Sequence, residues 1–164
     1  MDVNEEIVKT WLHVCKKYFT IGNIPFVIKR KLGSNYGDID ILAVDRKGRF
    51  YDYEIKGMIR YSLGKNDYEW LFDQLVNKER EKKVRSIIGN KPYQKVLVAR
   101  RGFFGGEKKH DKLIKILKQK GVKVEYLDDI VNQLVEIVDK TGPKSDSPAL
   151  QIIRLLKYCK IIDR

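Results

Sequence analysis

Two stretches of the chain alternate polar and apolar residues with a period of two. They are Gly37-Asp38-Ile39-Asp40-Ile41-Leu42-Ala43-Val44 and Phe50-Tyr51-Asp52-Tyr53-Glu54-Ile55-Lys56-Gly57, and Arg46-Lys47-Gly48 supplies turn chemistry between them. The pattern predicts a β-hairpin. Its first arm sets Asp38 and Asp40 opposite Ile39, Ile41 and Ala43; its second sets Asp52, Glu54 and Lys56 opposite Tyr51, Tyr53 and Ile55. Ahead of it, Ile7, Val8, Trp11, Leu12, Cys15, Tyr18 and Phe19 recur at helical spacing, which predicts an amphipathic helix over 4–19. A strand over 25–30 and a Gly/Ser loop over 33–37 follow. Beyond the hairpin, Asn66 with Glu69 three positions on reads as the cap of a helix running to about Ile88, with Leu71, Phe72, Leu75 and Val76 on its apolar side. Then come a buried strand at Lys95–Ala99, a helix over 109–120, an edge strand at Val122–Tyr126 and a helix from Asp128 through Val138.

In order, these elements predict an α/β domain with a central mixed β-sheet flanked by helices. Residues 1–140 form its body. Gly142, Pro143 and polar neighbours mark 141–148 as a linker, and 149–164 form a C-terminal helix entered through Pro148. In that helix Leu150, Ile152, Ile153, Leu155, Leu156, Tyr158, Ile161 and Ile162 spread over more than one face, and a homodimer contact is expected there. At 164 residues the chain is long enough to bury a core without staples. Cys15 and Cys159 lie on apolar helical patterns and are expected in the core, as suits a reducing cytoplasm. No uncharged run is long enough to span a bilayer, so a soluble, cytoplasmic protein is expected.

Charge adds a partner. The chain carries a net +12, which favours a polyanion, DNA before a membrane surface. Candidate phosphate contacts are Lys29, Arg30 and Lys31 before the hairpin, Ser34 in the loop, Arg60 after the hairpin, and Arg100, Arg101, Lys108 and Lys109 around a glycine-rich loop. In that last loop Phe103 and Phe104 either stack on bases or fold inward. The helical run Glu79-Arg80-Glu81-Lys82-Lys83 reads as a basic cluster or as an ordinary solvated face with intrahelical pairs.

The hairpin supplies the chemistry. If its polar faces coincide, Asp40, Glu54 and Lys56 converge. Two carboxylates, waters and substrate oxygens suffice for Mg2+ or Mn2+, and the Ile55 carbonyl between Glu54 and Lys56 can add a third oxygen. The Lys56 ammonium is then placed to orient water or to stabilise charge on a phosphate.

At these residues the chain resembles the PD-(D/E)xK nuclease superfamily, with Asp40, Glu54 and Lys56 at the pattern positions. The words Gly-Asp-Ile-Asp-Ile-Leu-Ala and Tyr-Glu-Ile-Lys are similar to its archaeal Holliday junction resolvase and RecB-like branches. The Pro of the pattern is absent, Ile39 standing before Asp40. The resemblance covers roughly residues 4 to 100 and is sharp over the hairpin. It implies a restriction-endonuclease-like fold and a metal-dependent DNA endonuclease, with structure-specific cleavage, restriction and repair nicking all open. It also implies a Glu on the first helix reaching the metal, for which Glu5 is the match, and a Gln near the site on the helix after the hairpin, here Gln74. It favours Asp40 over Asp38 as the metal ligand. A non-catalytic nucleic-acid-binding module of the same fold and an RNA-acting nuclease are the alternatives.

Overall fold

The structure, a computed structural model, describes residues 2–30, 33–57, 71–72, 74–140 and 147–161, with only the backbone of 28–30 and 33–35. Lys31, Arg60, the Asn66 cap, linker residues 141–146 and the side chains of Lys29, Arg30 and Ser34 lie outside the described residues.

Five strands form one sheet in chain order: β1 (Phe19–Arg30), β2 (Gly33–Val44), β3 (Phe50–Lys56), β4 (Tyr93–Ala99) and β5 (Val122–Tyr126). The pairs β1–β2 and β2–β3 are antiparallel, and β3–β4 and β4–β5 are parallel. The helices are α1 (Val3–Trp11), α2 (Lys78–Ile88), α3 (Glu107–Gln119), α4 (Leu127–Ile137) and α5 (Pro148–Tyr158). This is an α/β fold, a mixed sheet with helices on both faces, as the order of elements predicts.

Each face has its own core. Val8, Trp11 and Leu12 from the first helical segment and Ile130, Leu134, Leu150 and Ile153 from α4 and α5 pack on Ile41, Ala43, Tyr53, Ile55, Val96 and Val98. On the opposite face Leu113 and Leu117 of α3, with Leu71 and Leu75, cover Leu97 and Ala99, while Val84 and Ile88 of α2 cover Phe26, Ile39 and Leu42. Polar contacts fix the first layer: Trp11 Nε1 donates to Gln133 Oε1 at 2.9 Å, and Thr10 and Ser147 share a hydroxyl hydrogen bond of 2.6 Å.

The hairpin turn depends on Asp45. Its carboxylate accepts the N–H groups of Lys47 and Arg49 at 2.8 and 2.9 Å and the Arg49 Nε at 2.6 Å, while Gly48 supplies the left-handed φ of +75°. Burial works to raise the Asp45 pKa, but these N–H groups and the Arg49 guanidinium outweigh it and hold the carboxyl down at about 2.

Four expectations are corrected. The stretch 33–37 is strand, paired with β1 from Phe26↔Gly37 to Arg30↔Gly33. Two facing backbones satisfy each other's peptide groups whatever their side chains, so a Gly/Ser-rich composition did not prevent pairing. Secondly, Ile39 does not share a core with Ile41. It packs with Leu42, Phe26 and Val84, because Asn23 takes a left-handed φ of 54° where the Asn23–Asp40 pairing lapses, and the facing of both strands switches there. Thirdly, the helix expected to run to Ile88 is broken: helical backbone at 71–72 and 74–75 ends, and α2 restarts behind Asn77, whose Oδ1 accepts the Glu79 N–H at 2.7 Å and the Arg80 N–H at 3.4 Å. Finally, Cys159 is exposed and Cys15 only partly buried, so neither is a fully enclosed core residue.

Helix α5 is apolar on both sides. Ala149, Leu150 and Ile153 are buried, while Leu155 is 60% and Tyr158 87% exposed, with Ile152 also outward and Ile161 exposed just past the helix end. Among the described residues no helix is long and apolar enough to cross a membrane.

Replacing Asn77 with Ala is expected to destabilise the fold by ~1 kcal/mol, the usual cost of losing an N-cap, read as a lower denaturant midpoint at unchanged m-value.

Candidate active site

Strand β3 lies between β2 and β4 and is covered on both faces, so its acids are interior: Asp52 and Glu54 are each 1% exposed. Buried carboxylates require compensation from an opposite charge or hydrogen-bond donors. Both acids find it in Arg80 of α2, itself 1% exposed. The guanidinium forks onto Asp52, with Nη2 at 2.6 Å from Oδ1 and Nε at 3.1 Å from Oδ2, while Nη1 pairs with Glu54 Oε2. Its Nη2 also donates to the Tyr53 carbonyl at 3.2 Å. Burial works against the Arg80 charge, but Glu54 and Asp52 outweigh it and raise its pKa. The other Glu54 oxygen, Oε1, pairs with Lys56, whose side chain is 21% exposed.

Asp40 joins from β2. The β2–β3 register ends at Ile41↔Tyr53, and beyond it the Asp40 carboxylate accepts the Ile55 N–H at 2.5 Å, a side chain continuing the ladder where backbone pairing stops. Glu54 and Ile55 are therefore its immediate surroundings. Burial, then the negative charge of Glu54, push the Asp40 pKa up to about 7, against the Ile55 N–H and the cations Lys56 and Arg80.

Among the described residues three acids, Asp40, Asp52 and Glu54, share this network with two cations, Lys56 and Arg80. The Asp40–Glu54 repulsion is what a divalent cation would relieve, and a carboxylate pair suits Mg2+ or Mn2+. Among the described residues no group of three or more His, Cys, Asp or Glu side chains is placed to hold a metal ion.

Glu5 lies nearby on α1. An added Cβ on Gly57 would run into the Asn4 side chain, so the first turn of α1 sits against the residue that follows Lys56. Glu5 Oε2 is buried without a hydrogen-bond partner among the described residues. Burial first, then Asp2 and, more weakly, Asp38 raise its pKa, which sets Glu5 in the company of Asp38. Asp38 itself is exposed, and the Ile55 contact belongs to Asp40. Gln74 meets the network through its backbone, its carbonyl lying 3.5 Å from Arg80 Nη1.

The glycine-rich loop differs from a stacking platform. Arg101–Phe104 is a turn of 3-10 helix, and Phe103 and Phe104 are buried in the α3 core. Arg101 is already paired: its Nη2 donates to both Asp129 carboxylate oxygens, at 2.8 and 2.9 Å, and its guanidinium lies over the Tyr126 ring at 4.2 Å. Arg100 is half-buried, while Lys108 and Lys109 are exposed on the first turn of α3.

Arg80 and Asp52 are the site residues that sequence reasoning missed. Arg80 sits among Glu79, Glu81 and Lys82 and reads as surface, yet Arg80, Val84 and Ile88 fall at i, i+4 and i+8, one stripe, and all three are buried. Asp52 and Glu54 on one face of a central strand, with Lys56 alone beside them, also called for a second cation.

An acid whose folded pKa is raised contributes stability that is complete below its unfolded value near 3.9 and lost as pH rises through about 7. Metal-free protein is therefore expected to lose this contribution between pH ~4 and ~7. In Asp40→Asn that part of the slope of melting temperature against pH should vanish, and an unchanged slope would remove Asp40 as its source.

No family model matches the chain, and no curated protein matches it. Among solved structures it is similar to protein VC1899 from Vibrio cholerae, with a TM-score of 0.46 and 14% identity over 78% of this chain and 29% of that one. It is also similar to a repair endonuclease from Pyrococcus abyssi, with a TM-score of 0.39 and 16% identity over 77% of this chain and 47% of that one. The chain thus spans less than half the length of either, and a likeness at this level carries no assignment.

Proposed function

We propose that this chain is a metal-dependent nuclease of the PD-(D/E)xK type that cuts DNA phosphodiester bonds internally. One observation carries the reading: Asp40 and Glu54 are held together at the end of the β2–β3 ladder, where each charge disfavours the other, with the Lys56 ammonium on Glu54. The antiparallel β1–β2–β3 meander followed by a parallel β4 supports a restriction-endonuclease-like sheet around it.

In this reading Asp40 and Glu54 hold Mg2+ or Mn2+, with the Ile55 carbonyl and Glu5 as further oxygen donors; Glu5 Oε2, buried without a partner among the described residues, fits that role. The cation, when bound, lowers the pKa of a water and offsets charge on the phosphate. The chain's own groups do the rest. Asp40, anchored on the Ile55 amide, and Glu54, anchored on Arg80, keep their oxygens fixed before substrate arrives. Lys56 orients the attacking water or faces the charge that grows on the phosphoryl oxygens, and Gln74 lines the approach. Lys29, Arg30, Lys31, Ser34, Arg60, Arg100, Lys108 and Lys109 contact phosphates, while Arg101 contributes less because Asp129 already neutralises it.

Glu54→Gln, Lys56→Ala and Asp40→Asn are each expected to slow plasmid nicking in Mg2+ by roughly 10²-fold or more while circular dichroism keeps its folded form. Wild-type rates in the folded variants would remove the assignment. Salt-sensitive DNA binding without metal-stimulated cleavage would identify a non-catalytic module, and preference for RNA an RNA nuclease.

The outward Ile152, Leu155 and Tyr158 on α5 support a two-fold homodimer through that helix. Sedimentation equilibrium at micromolar concentration should give twice 19.3 kDa for the wild type and 19.3 kDa for Leu155→Glu; a monomeric wild type contradicts the dimer.

A further inference from the structure

The two cations on Glu54 are not equivalent. Arg80 is buried and is tied at the same time to Asp52, to the Tyr53 carbonyl and to Glu54 Oε2. Lys56 reaches Glu54 Oε1 from the strand end and keeps part of its side chain in solvent. An incoming cation has to take an oxygen from one of them. Displacing Arg80 would take its buried Nη1 off a carboxylate and leave it the Gln74 carbonyl at 3.5 Å, whereas Lys56, whose side chain is partly exposed, can turn towards water.

We infer that Arg80 is a positioning residue that locks Glu54 Oε2 inward and so presents Oε1 as the one oxygen of Glu54 open to a divalent cation, which takes the place of Lys56. The inference rests on the metal-dependent reading of the site. Its consequence is an exchange: loading the site detaches Lys56 from Glu54, and the ammonium becomes available to the substrate phosphate only then. Cleavage without metal is thereby disfavoured twice, once by the missing ion and once because Lys56 is held on Glu54.

The inference predicts opposite signs for two positive residues at one carboxylate. If both acted only through charge, removing either would ease the approach of a cation and tighten its binding. If Arg80 orients Glu54, its loss weakens binding, since groups that hold a metal-ligating carboxylate typically contribute 10–100-fold to affinity. Mn2+ binding to metal-free protein, followed by electron paramagnetic resonance without DNA, reads this directly. Lys56→Met is expected to bind Mn2+ several-fold more tightly than wild type. Because Arg80→Gln alone leaves Asp52 uncompensated, the informative variant is Asp52→Asn with Arg80→Gln, which is neutral at both ends of the buried pair; circular dichroism checks its fold. It should bind Mn2+ about 10–100-fold more weakly. Equal or tighter binding by the double variant overturns the positioning role and leaves the metal reading standing. A wild type that binds no Mn2+ at millimolar concentration overturns the metal reading, and the inference with it. Should the double variant fail to fold, Arg80→Lys decides by the same titration: it keeps the charge but loses the fork, so weaker binding supports the inference and unchanged binding overturns it.

Discussion

A guanidinium inside the core holds this molecule's chemistry in place. Arg80 lies between α2 and β3 and joins two carboxylates of the central strand that burial alone would not tolerate in their charged form. Breaking a buried ion pair by removing one partner usually costs ~3–5 kcal/mol, while replacing the whole pair by apolar groups is often neutral. An ion cluster of this kind is therefore poorly explained by stability. It is better explained by what it fixes: Glu54 has one oxygen committed to the interior, and its geometry is decided before anything binds.

The rest of the architecture serves the same end of the sheet. Asn77 breaks the preceding helix and starts α2 so that Arg80, Val84 and Ile88 face inward together. The Asn23–Asp40 lapse lets the facing of β1 and β2 switch where Asp40 leaves the ladder to take the Ile55 amide. Asn4 against Gly57 brings the first turn of α1, with the Glu5 carboxyl, to the end of β3. Each of these local features bears on one residue of the site or its neighbour: Arg80, Asp40, or Gly57 after Lys56. Regular strands carry the site while the exceptions aim it.

What could be read from the chain follows from how far each signal acts. The hairpin was legible because period-two alternation and a Lys/Gly turn are local, and so were Asp40, Glu54 and Lys56 as neighbours. The turn's real anchor, Asp45, was not singled out, because its role lies in three hydrogen bonds to residues two and four positions on. The order of helices and strands gave the mixed sheet. Arg80 was hidden by its acidic neighbours, since local charge patterning outweighed the i, i+4, i+8 stripe that carries it inward. The Phe103-Phe104 pair shows the reverse: two aromatics between basic residues resemble a binding loop, but only the packing of α3 reveals that both are core. Gly33–Gly37 read as a loop from composition, although strand pairing depends on the backbone of its neighbour, which sequence does not display.

The most direct measurement is a crystal of the protein soaked in Mn2+, with anomalous scattering recorded to locate the ion. A single peak bound by Asp40 and by Glu54 Oε1, with Arg80 still on Oε2 and Lys56 withdrawn, is the predicted result. A peak elsewhere, or no peak between the two carboxylates at saturating Mn2+, would contradict the account.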